Sequence, residues 1–561
     1  MYAKKRWASI CVSVLLAVGV FTGCSGAQSN DPDAPQSQTS ITATADAASD
    51  GAAANVAAST DPFGRYDEPI TISAVKNLGV APLEFPEGDS LENNVWMRYY
   101  KDNLNIQIDW LWSTLESQYD QKVNIAITSG DIPDLMMLKN ANQLKMMYEN
   151  GQLYPVGDIL ETYGAPFTKE VLNSDGGFGL ESASFDGALY AVPHIESGLM
   201  SSPVLWVRTD WLEKYSLALP TTKEEFLKVS EAFSTDGAYG LGINKDLFET
   251  NYAALEGFFN MHGAFNDTWF EKDGSLVYSD IQPEVKDTLE MLQSMYANGW
   301  IDPEFGVKNT DKVNEDVNAG KIGMMFGGFW NAVMFNPAKV ADPTFEWMPV
   351  AIPEVLNGSG KAQVPFGTKY WYAISADCKN PEAIIRMLNV QLEKAYGETA
   401  ESMVFNITPE GYGPFNYNIF TLEPPMKNFV AAEKVTKAIE TGDPSALNLE
   451  ELNYYEMSLL SLGGDHTNNN WHQLKMFGPL GSLSVQKSYW DSGNAVTNAF
   501  YGAPTPTMVE KLSTLKKQAL TDFTAIIMGG DINGFDTFVS NWNALGGADI
   551  TSEVNEWYTN R

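Results

Sequence analysis

The amino-acid sequence predicts an α/β fold in which mainly parallel sheets are covered by helices on both faces. Three observations predict it. Strand patterns alternate with helical patterns from residue 70 to residue 138, several later helices carry start and stop signals, and the roughly 500 residues that follow the N-terminal signal and tether provide core for two or three domains. Strands separated by helices favour parallel pairing, and both faces of such a sheet need a helical cover.

The first predicted elements alternate strictly. Residues 70–75 (ITISAV) alternate apolar and other side chains, as a strand does. The elements that follow are a helix at 94–103, a strand at 106–110, a helical stripe of Tyr119, Val123, Ala126 and Ile127 that ends at Gly130, and a short buried strand at 135–138.

Later helices are predicted from their ends. Capping boxes are expected at Thr221 with Glu224 and at Thr507 with Glu510. Pro283 begins a helix that Gly299 closes, and Asn380-Pro381-Glu382 begins another after a strand at 371–375.

The N-terminus has the pattern of an export signal. Lys4-Lys5-Arg6 precedes an apolar stretch from Trp7 to Phe21, which is shorter than the ~20 residues of a membrane-spanning helix. The segment "FTGC" that follows resembles the lipobox of bacterial lipoproteins. That resemblance implies a signal peptide at 1–23 and a diacylglycerol on the Cys24 thiol, which anchors the protein on the extracellular face of the cell membrane.

The segment from residue 24 to residue 64 is predicted to be a flexible tether. Residues 25–64 contain no Lys or Arg and almost no large apolar side chain. Such a composition buries too little surface to offset the entropy of the chain.

Charge and cysteine content narrow the function classes. The net charge of −35 argues against nucleic acid as a partner, because its binding requires neutralised phosphates. Of the three cysteines, Cys11 leaves with the signal and Cys24 is lipidated, so Cys378 has no disulfide partner within the chain. We expect a monomer.

Catalytic motifs are missing from the sequence. It contains no G-x-S-x-G, H-E-x-x-H, phosphate-loop or G-x-G-x-x-G pattern, and its four histidines have no common metal-binding spacing. We therefore predict no catalytic residue, no metal and no cofactor.

Several tryptophans stand among small polar residues, although most aromatic residues must belong to the core. Trp330 lies in GGFWN, Trp371 in TKYWY and Trp471 in NNWH. A flat ring beside amide and hydroxyl groups suits a sugar, whose C–H face stacks on the ring. The alternative is that these rings only fill gaps between two folded parts of the protein and contact no ligand.

Seven segments of the chain carry a family resemblance. They are AITSGDIPDLM (126–136), ALYAVPH (188–194), LWVRTDWLEKYSLALPTTKEEF (205–226), YANGWIDPEF (296–305), AGKIGMMFGGFW (319–330), NPEAIIRMLN (380–389) and FDTFVSNWNALGGADITSEVNEWY (535–558). Together they resemble the extracellular solute-binding proteins of family 1, in particular the large LplA-like lipoproteins of Gram-positive bacteria. The similarity runs from about residue 65 to the C-terminus.

The resemblance implies a type II periplasmic-binding-protein-like fold. Its two α/β lobes are joined by crossing segments, carry extra C-terminal helices and hold the ligand between them. The expected lobes are 65–193 with about 364–440, and 194–363 with about 441–561. The implied function is delivery of an oligosaccharide or other sugar to the permease subunits of an ABC importer.

The candidate ligand-binding residues have three origins. Ligands of open α/β sheets lie beyond the carboxyl ends of strands, which predicts Lys76, Asn77 and Asn140. The resemblance implies Trp330 as a stacking residue. Trp371, Trp471 and Arg208 are further candidates, and an internal salt bridge is the alternative for Arg208.

One loop departs from the family pattern. Many relatives carry a calcium-like loop where this chain has residues 233–241 (FSTDGAYGL), which retain too few oxygen ligands for calcium. We expect no ion there.

Three alternative functions remain open from the sequence. A peptide receptor uses the same fold. A surface glycosidase requires two facing carboxylates. A sensory subunit signals through a partner kinase.

Overall fold

The computed structural model of the protein describes residues 60–79, 82–248, 251–406, 408 and 412–561. The predicted signal peptide, Cys24 and most of the predicted tether lie outside these ranges. Within them, the helices are all too short or too polar to cross a bilayer.

Two mixed sheets form the framework. The first has the spatial order β2-β1-β3-β9-β4 and the second the order β8-β5-β7-β6, where numbering follows the chain. The strands are β1 (Ile70–Asn77), β2 (Ile106–Thr114), β3 (Leu135–Leu138), β4 (Ala191–Pro193), β5 (Val204–Arg208), β6 (Tyr239–Leu241), β7 (Ile322–Gly327), β8 (Trp347–Val350) and β9 (Trp371–Ile374).

Each sheet contains one reversed strand. In the first sheet, β1 is parallel to β2 and β3, whereas β9 is antiparallel to both of its neighbours. In the second, β7 is parallel to β6, whereas β5 is antiparallel to β7 and β8. The prediction of mainly parallel sheets missed these two strands. Both are the strands by which the chain enters a sheet from the other one, so they begin at the edge where their neighbours end.

Shorter strand pairs and helices complete the fold. The pairs are Ser184–Phe185 with Ala188–Leu189, Trp269–Lys272 with Ser275–Tyr278, and Ala362–Val364 with Ala495–Thr497. The α-helices are Val95–Tyr99, Glu116–Ser129, Ala141–Glu149, Gly157–Tyr163, Pro166–Asn173, Phe178–Ser182, Thr209–Tyr215, Lys223–Phe233, Glu256–Met261, Pro283–Ala297, Thr310–Asn318, Ala332–Ala341, Pro381–Tyr396, Ser402–Phe405, Lys427–Thr441, Leu449–Leu462, Asn470–Phe477, Ser482–Asp491, Ser513–Ile527, Gly534–Trp542 and Ala548–Asn560.

Both faces of each sheet are buried. Along β9, Tyr372 and Ile374 enter one apolar core while Trp371 and Ala373 enter the core on the opposite face. In the second sheet, Leu205 of β5 packs in the core on one face and Trp206 packs in the core on the opposite face. This alternation follows from the two-residue period of a strand. We call each sheet with its two cores a lobe.

The chain crosses between the lobes three times, and the last crossing comes before the expected boundary at about residue 440. Leu422 still packs in the first lobe, whereas Phe429 and Val435 pack in the second. The helix Lys427–Thr441, which the sequence analysis assigned to the first lobe, therefore belongs to the core of the second. The apolar face of this helix carried no information about which sheet it covers.

Two predicted helix starts are wrong in detail. The first capping box is formed by Thr222 and Glu225, one residue later than predicted. At the second, Thr507 caps nothing: it lies inside a helical run that begins at residue 506, forms a π-helical turn at Met508–Leu512 and continues as the α-helix Ser513–Ile527, and its hydroxyl donates to Glu553 at 2.8 Å. The helix starts at Pro283 and Pro381 are confirmed.

Candidate ligand-binding cleft

Segments that cross between the lobes lie side by side. The backbone N–H of Glu196 donates to the carbonyl of Gly367 at 3.2 Å, and His194 Nε2 lies 2.9 Å from the carbonyl of Thr421. A Cβ atom on Gly198 would stand 2.0 Å from the Pro365 carbonyl oxygen, and one on Gly367 would stand 2.1 Å from that of Glu196. Glycine is thus required at both positions by close backbone approach.

A cavity of about 430 Å³ opens beside these segments. The crossing segments line it on one side and loops of the second lobe line it on the other. Its lining residues are Glu196, Met200, Ser201, Pro203, Phe248, Asn251, Glu256, Phe329, Trp330, Gln363, Pro365 and Lys369. Aromatic rings next to a few polar groups are typical of small-molecule sites of this size.

Trp330 is held in this cavity by the turn that follows β7. The strand ends at Gly327, and residues 329–331 form a short 3₁₀ turn that leaves the indole half-buried. A Cβ atom on Gly328 would stand 2.7 Å from Trp330 Nε1, so glycine lets the ring fold back over its own backbone. The Tyr252 ring supports the indole from behind, 6.4 Å away and inclined by 26°.

Some polar side chains in the cavity wall already have hydrogen-bond or salt-bridge partners within the protein. Gln363 donates its Nε2–H to the Asn266 carbonyl at 2.7 Å, and Lys369 pairs with Glu196 at 2.8 Å. Glu256 differs, because its enclosed Oε2 has no hydrogen-bond partner in the part of the chain that the structure describes. Burial raises the pKa of this carboxyl to about 8.

A second cavity of about 1000 Å³ continues the first. The two share Phe248, Glu256, Gln363 and Pro365 in their walls. The second extends between Asn142 of the first lobe and the helix Ser513–Ile527 of the second. We call the two cavities together the cleft.

Trp330 is the one candidate from the sequence analysis that lines the cleft as the structure describes it. Trp371 and Trp471 are 6% and 1% exposed and lie in apolar cores. Their indole N–H groups donate to Ser182 at 3.1 Å and to Glu346 at 3.3 Å.

Arg208 is engaged inside the second lobe. Its Nε donates to Asp210 at 2.7 Å, and its guanidinium lies 4.3 Å from the centre of the Phe345 ring and 4.7 Å from that of Trp211. The internal salt bridge, the alternative left open by the sequence, is what the structure contains.

The three strand-end candidates also have internal roles. Lys76 and Asn77 are the last residues of β1, not residues beyond it. Lys76 is buried and donates to the Asn418 carbonyl, Asn77 accepts from the Gly79 N–H at 2.9 Å, and Asn140 caps a helix by accepting from Gln143 at 2.9 Å.

The sequence analysis missed Glu196, Glu256 and Lys369. Glu196 lies two residues after ALYAVPH and Lys369 lies within TKYWY, but the two face each other only because two crossing segments meet. Glu256 had no distinguishing signal among 71 acidic residues. In the described ranges, no three His, Cys, Asp or Glu side chains are grouped so as to hold a metal ion.

Two α/β lobes, joined by crossing segments with a cleft beside those segments, are the architecture of two-domain solute-binding proteins. The sequence model of the family "Bacterial extracellular solute-binding protein" matches residues 84–398. The chain belongs to this family of binding proteins, which are extracellular.

Individual proteins agree with this assignment. The chain is 22% identical over 466 residues to the polygalacturonan/rhamnogalacturonan-binding protein YtcQ of Bacillus subtilis, covering 81% of this chain and 85% of YtcQ. It is 22% identical over 501 residues to lipoprotein LipO of Bacillus subtilis, covering 85% and 91%. Among solved structures, the substrate-binding protein FusA of Streptococcus pneumoniae in complex with kestose matches with a TM-score of 0.57 at 17% identity, covering 88% of this chain and 99% of FusA.

Proposed function

We propose that this protein is the lipid-anchored, substrate-binding subunit of an ABC importer and that its ligand is an oligosaccharide. The observation that carries the proposal is the half-buried indole of Trp330 on the wall of a cleft between two lobes, beside the polar groups of Glu256 and Lys369. The names of YtcQ and FusA, which refer to carbohydrate ligands, support the same class of ligand.

Ligand transfer in this proposal involves no covalent chemistry. The open and closed arrangements of the lobes differ in how much of the ligand they contact, so the ligand favours the closed one. The closed lobes then present a joint surface to the permease subunits. We propose a monomer, since one chain supplies both walls of the cleft.

The proposed anchor is the thiol of Cys24, which lies outside the described residues. Its basis is the lipobox-like sequence, and the similarity to a protein named lipoprotein LipO supports it. A Cys24→Ser variant tests it, because this variant has no thiol to acylate and should incorporate no labelled palmitate, whereas the wild type should. Equal incorporation of label into both proteins would contradict the anchor.

A thermal-shift screen against oligosaccharides and peptides tests the function. A ligand at 100 times its Kd adds about 2.7 kcal/mol of stability, which raises the melting temperature measurably. We expect a sugar to stabilise the protein and to be recovered intact by mass spectrometry. Cleavage of the sugar would favour the glycosidase alternative, and stabilisation by peptides alone would favour a peptide receptor.

A further inference from the structure

The two lobes also touch each other outside the crossing segments. The ring centroids of Phe178 and Tyr501 are 4.6 Å apart, with the ring planes inclined by 42°. The Lys145 ammonium donates to the carbonyl oxygen of Pro504 at 3.2 Å. Phe178 and Lys145 belong to helices of the first lobe, whereas Tyr501 and Pro504 belong to a segment of the second. We call the ring pair and the hydrogen bond together the interlobe contact.

The interlobe contact borders the cleft but lies outside its lining. Asn142, on the same helix as Lys145, and Pro504 both line the cavity of about 1000 Å³. Moving this first-lobe wall away from Pro504 therefore breaks the Lys145 hydrogen bond. In the part of the chain that the structure describes, neither Phe178 nor Tyr501 lines either cavity. Truncation of one of these two rings therefore removes no ligand contact.

The two rings of the interlobe contact are supported differently. Tyr501 is fixed within the second lobe, because the Trp557 ring stands edge-on to it at 4.9 Å. A Cβ atom on Gly502 would stand 2.7 Å from Trp557 Nε1, so the backbone beside Tyr501 also lies against this indole. Phe178 is 46% exposed, and Tyr501 is its one ring partner among the described residues. Separation of the lobes therefore exposes a ring face on each side to water.

A contact of this kind changes the balance between open and closed lobes. The interlobe contact is lost when the lobes separate, so it stabilises the closed arrangement relative to the open one. The ligand favours the closed arrangement because both lobes contact it there, so the interlobe contact increases affinity for the ligand. One aromatic pair shifts such an equilibrium by about twofold to tenfold, which slows release of the ligand without preventing it.

We propose that the interlobe contact holds the lobes closed, and that Phe178, Tyr501 and Trp557 determine ligand affinity without touching the ligand. Trp557 acts as a positioning residue, since it holds Tyr501 where Phe178 meets it. The helix Ala548–Asn560, which carries Trp557, thereby contributes to binding from outside the cleft. This inference rests on the proposed function and concerns how the same cleft retains its ligand.

The dissociation rate of a defined sugar tests the ring pair. The probe is whichever of maltotetraose, fructo-nystose and tetragalacturonate binds the wild type most tightly. Phe178→Ala and Tyr501→Ala should each raise the dissociation rate and the Kd about twofold to tenfold and leave the association rate near wild type. Stopped-flow tryptophan fluorescence measures the rates, and titration calorimetry measures the Kd.

Three outcomes of this experiment would overturn the inference. Unchanged dissociation in both variants would show that the ring pair does not hold the lobes closed. Tighter binding would assign the ring pair to the open arrangement. In both cases the proposed sugar receptor stands, because the wild type still binds the probe. If no sugar binds the wild type, the proposed function fails, and this inference fails with it.

A double-mutant cycle tests whether the two rings act through each other. The variant with both Phe178→Ala and Tyr501→Ala should release the probe no faster than the faster single variant, because either substitution alone removes the shared contact. Effects that multiply in the double variant would overturn the ring pair as their common cause. Phe63→Ala is the matched control, since Phe63 is 41% exposed and loses the same ring. It should leave both rates unchanged.

Trp557→Ala tests the positioning role. It removes the support of Tyr501 and should raise the dissociation rate as Tyr501→Ala does. Trp557 also contacts the ring of Phe500, which lines the cavity, at 4.9 Å. Trp557→Ala is therefore measured again in the Phe178→Ala variant, where it should add nothing. A further loss of affinity in that variant would assign the effect to Phe500 and overturn the positioning role.

Tyr296→Ala controls for a general loss of structure. Tyr296 is half-buried against the same core of the second lobe as Trp557, and its ring partner is Phe305 at 6.0 Å. Its truncation should lower the urea midpoint and leave the dissociation rate unchanged. Faster dissociation in Tyr296→Ala, equal to that in Trp557→Ala, would show that any weakening of this lobe releases ligand, which would overturn the specific role of Trp557.

Discussion

Trp330 and Trp471 occupy two regions that look alike in sequence and differ in structure. Trp330 lies in the segment GGFWN and Trp471 in the segment NNWH. Trp330, however, follows the end of β7 and lines the cleft. Trp471 lies within the helix Asn470–Phe477 and is 1% exposed. The composition around a ring therefore does not decide whether the ring meets ligand or core. The turn after β7 brings Trp330 to the cleft, whereas the Trp471 indole packs in a core of the second lobe.

The largest expected effect comes from the core ring. Trp471→Ala should lower the free energy of unfolding by about 3–5 kcal/mol, because it leaves a cavity and removes the partner of Glu346. Urea unfolding measures this loss. Sugar affinity, measured where the variant is still folded, should stay near wild type. A Trp471→Ala variant that is as stable as wild type but no longer binds sugar would place Trp471 in the ligand site and not in the core.

The next effect tests the crossing segments that border the cleft. Gly367→Ala places a methyl group 2.1 Å from the Glu196 carbonyl oxygen, so the two segments must move apart at a cost of about 1–3 kcal/mol. Urea unfolding measures the cost, and affinity should fall with it because Glu196 and Lys369 are displaced. Gly157→Ala is the control, since the nearest atom to its new Cβ is 3.8 Å away. Equal stability of the two variants would contradict the close approach.

The cleft ring should show the opposite pattern to Trp471. Trp330→Ala should weaken sugar binding about tenfold or more, which is about 1.4 kcal/mol or more, because the stacking surface is lost. Its urea midpoint should change far less than that of Trp471→Ala, since the ring is only half-buried. Titration calorimetry measures the affinity, and an unaltered Kd would remove Trp330 from the site.

Two lysines also differ in whether they line the cleft or are buried in a lobe. Lys369 lines the cleft, whereas Lys76, also expected there, is buried and burial lowers its pKa to about 7. The unfolded chain binds more protons than the folded one between this pKa and the ordinary lysine value, so Lys76 makes stability rise with pH in that window. The slope is at most about 1.4 kcal/mol per pH unit.

Lys76→Met should flatten that rise when unfolding is followed from pH 7 to pH 10. Lys101→Met, a change at an exposed lysine, should leave the slope as it is in the wild type. If Lys76→Met and wild type share one slope, Lys76 is not held neutral by burial.

Calcium should have the smallest effect. The loop at 233–241 is expected to bind no ion, so millimolar calcium should leave the melting temperature unchanged. In this loop, the Gly240 N–H donates to the Ser234 hydroxyl at 2.9 Å, so that oxygen already accepts one hydrogen bond within the protein. A calcium-dependent rise in melting temperature would contradict this expectation.

Much of the fold was predictable because local patterns specify it. The stripe ending at Gly130, the strand Leu135–Leu138 and the helix starts at Pro283 and Pro381 are found where the sequence predicts them. The reversed strands β5 and β9 were not predictable from periodicity, because direction depends on how the chain crosses between lobes. The lobe to which Lys427–Thr441 belongs was hidden for a similar reason.

The candidate site was less predictable, because it consists of distant residues brought together. The sequence singled out Trp330 through a family resemblance, but the pairing of Glu196 with Lys369 depends on two crossing segments far apart in the chain. Glu256 stands out only through its enclosure. Trp371, Trp471, Arg208 and Lys76 have partners within the lobes that no local pattern revealed.

A crystal structure grown with the tightest-binding oligosaccharide tests the central claim most directly. We predict a sugar ring stacked on Trp330 and both lobes in contact with an intact chain. Sugar bound outside the cleft, or a sugar that leaves Trp330 untouched, would contradict the account.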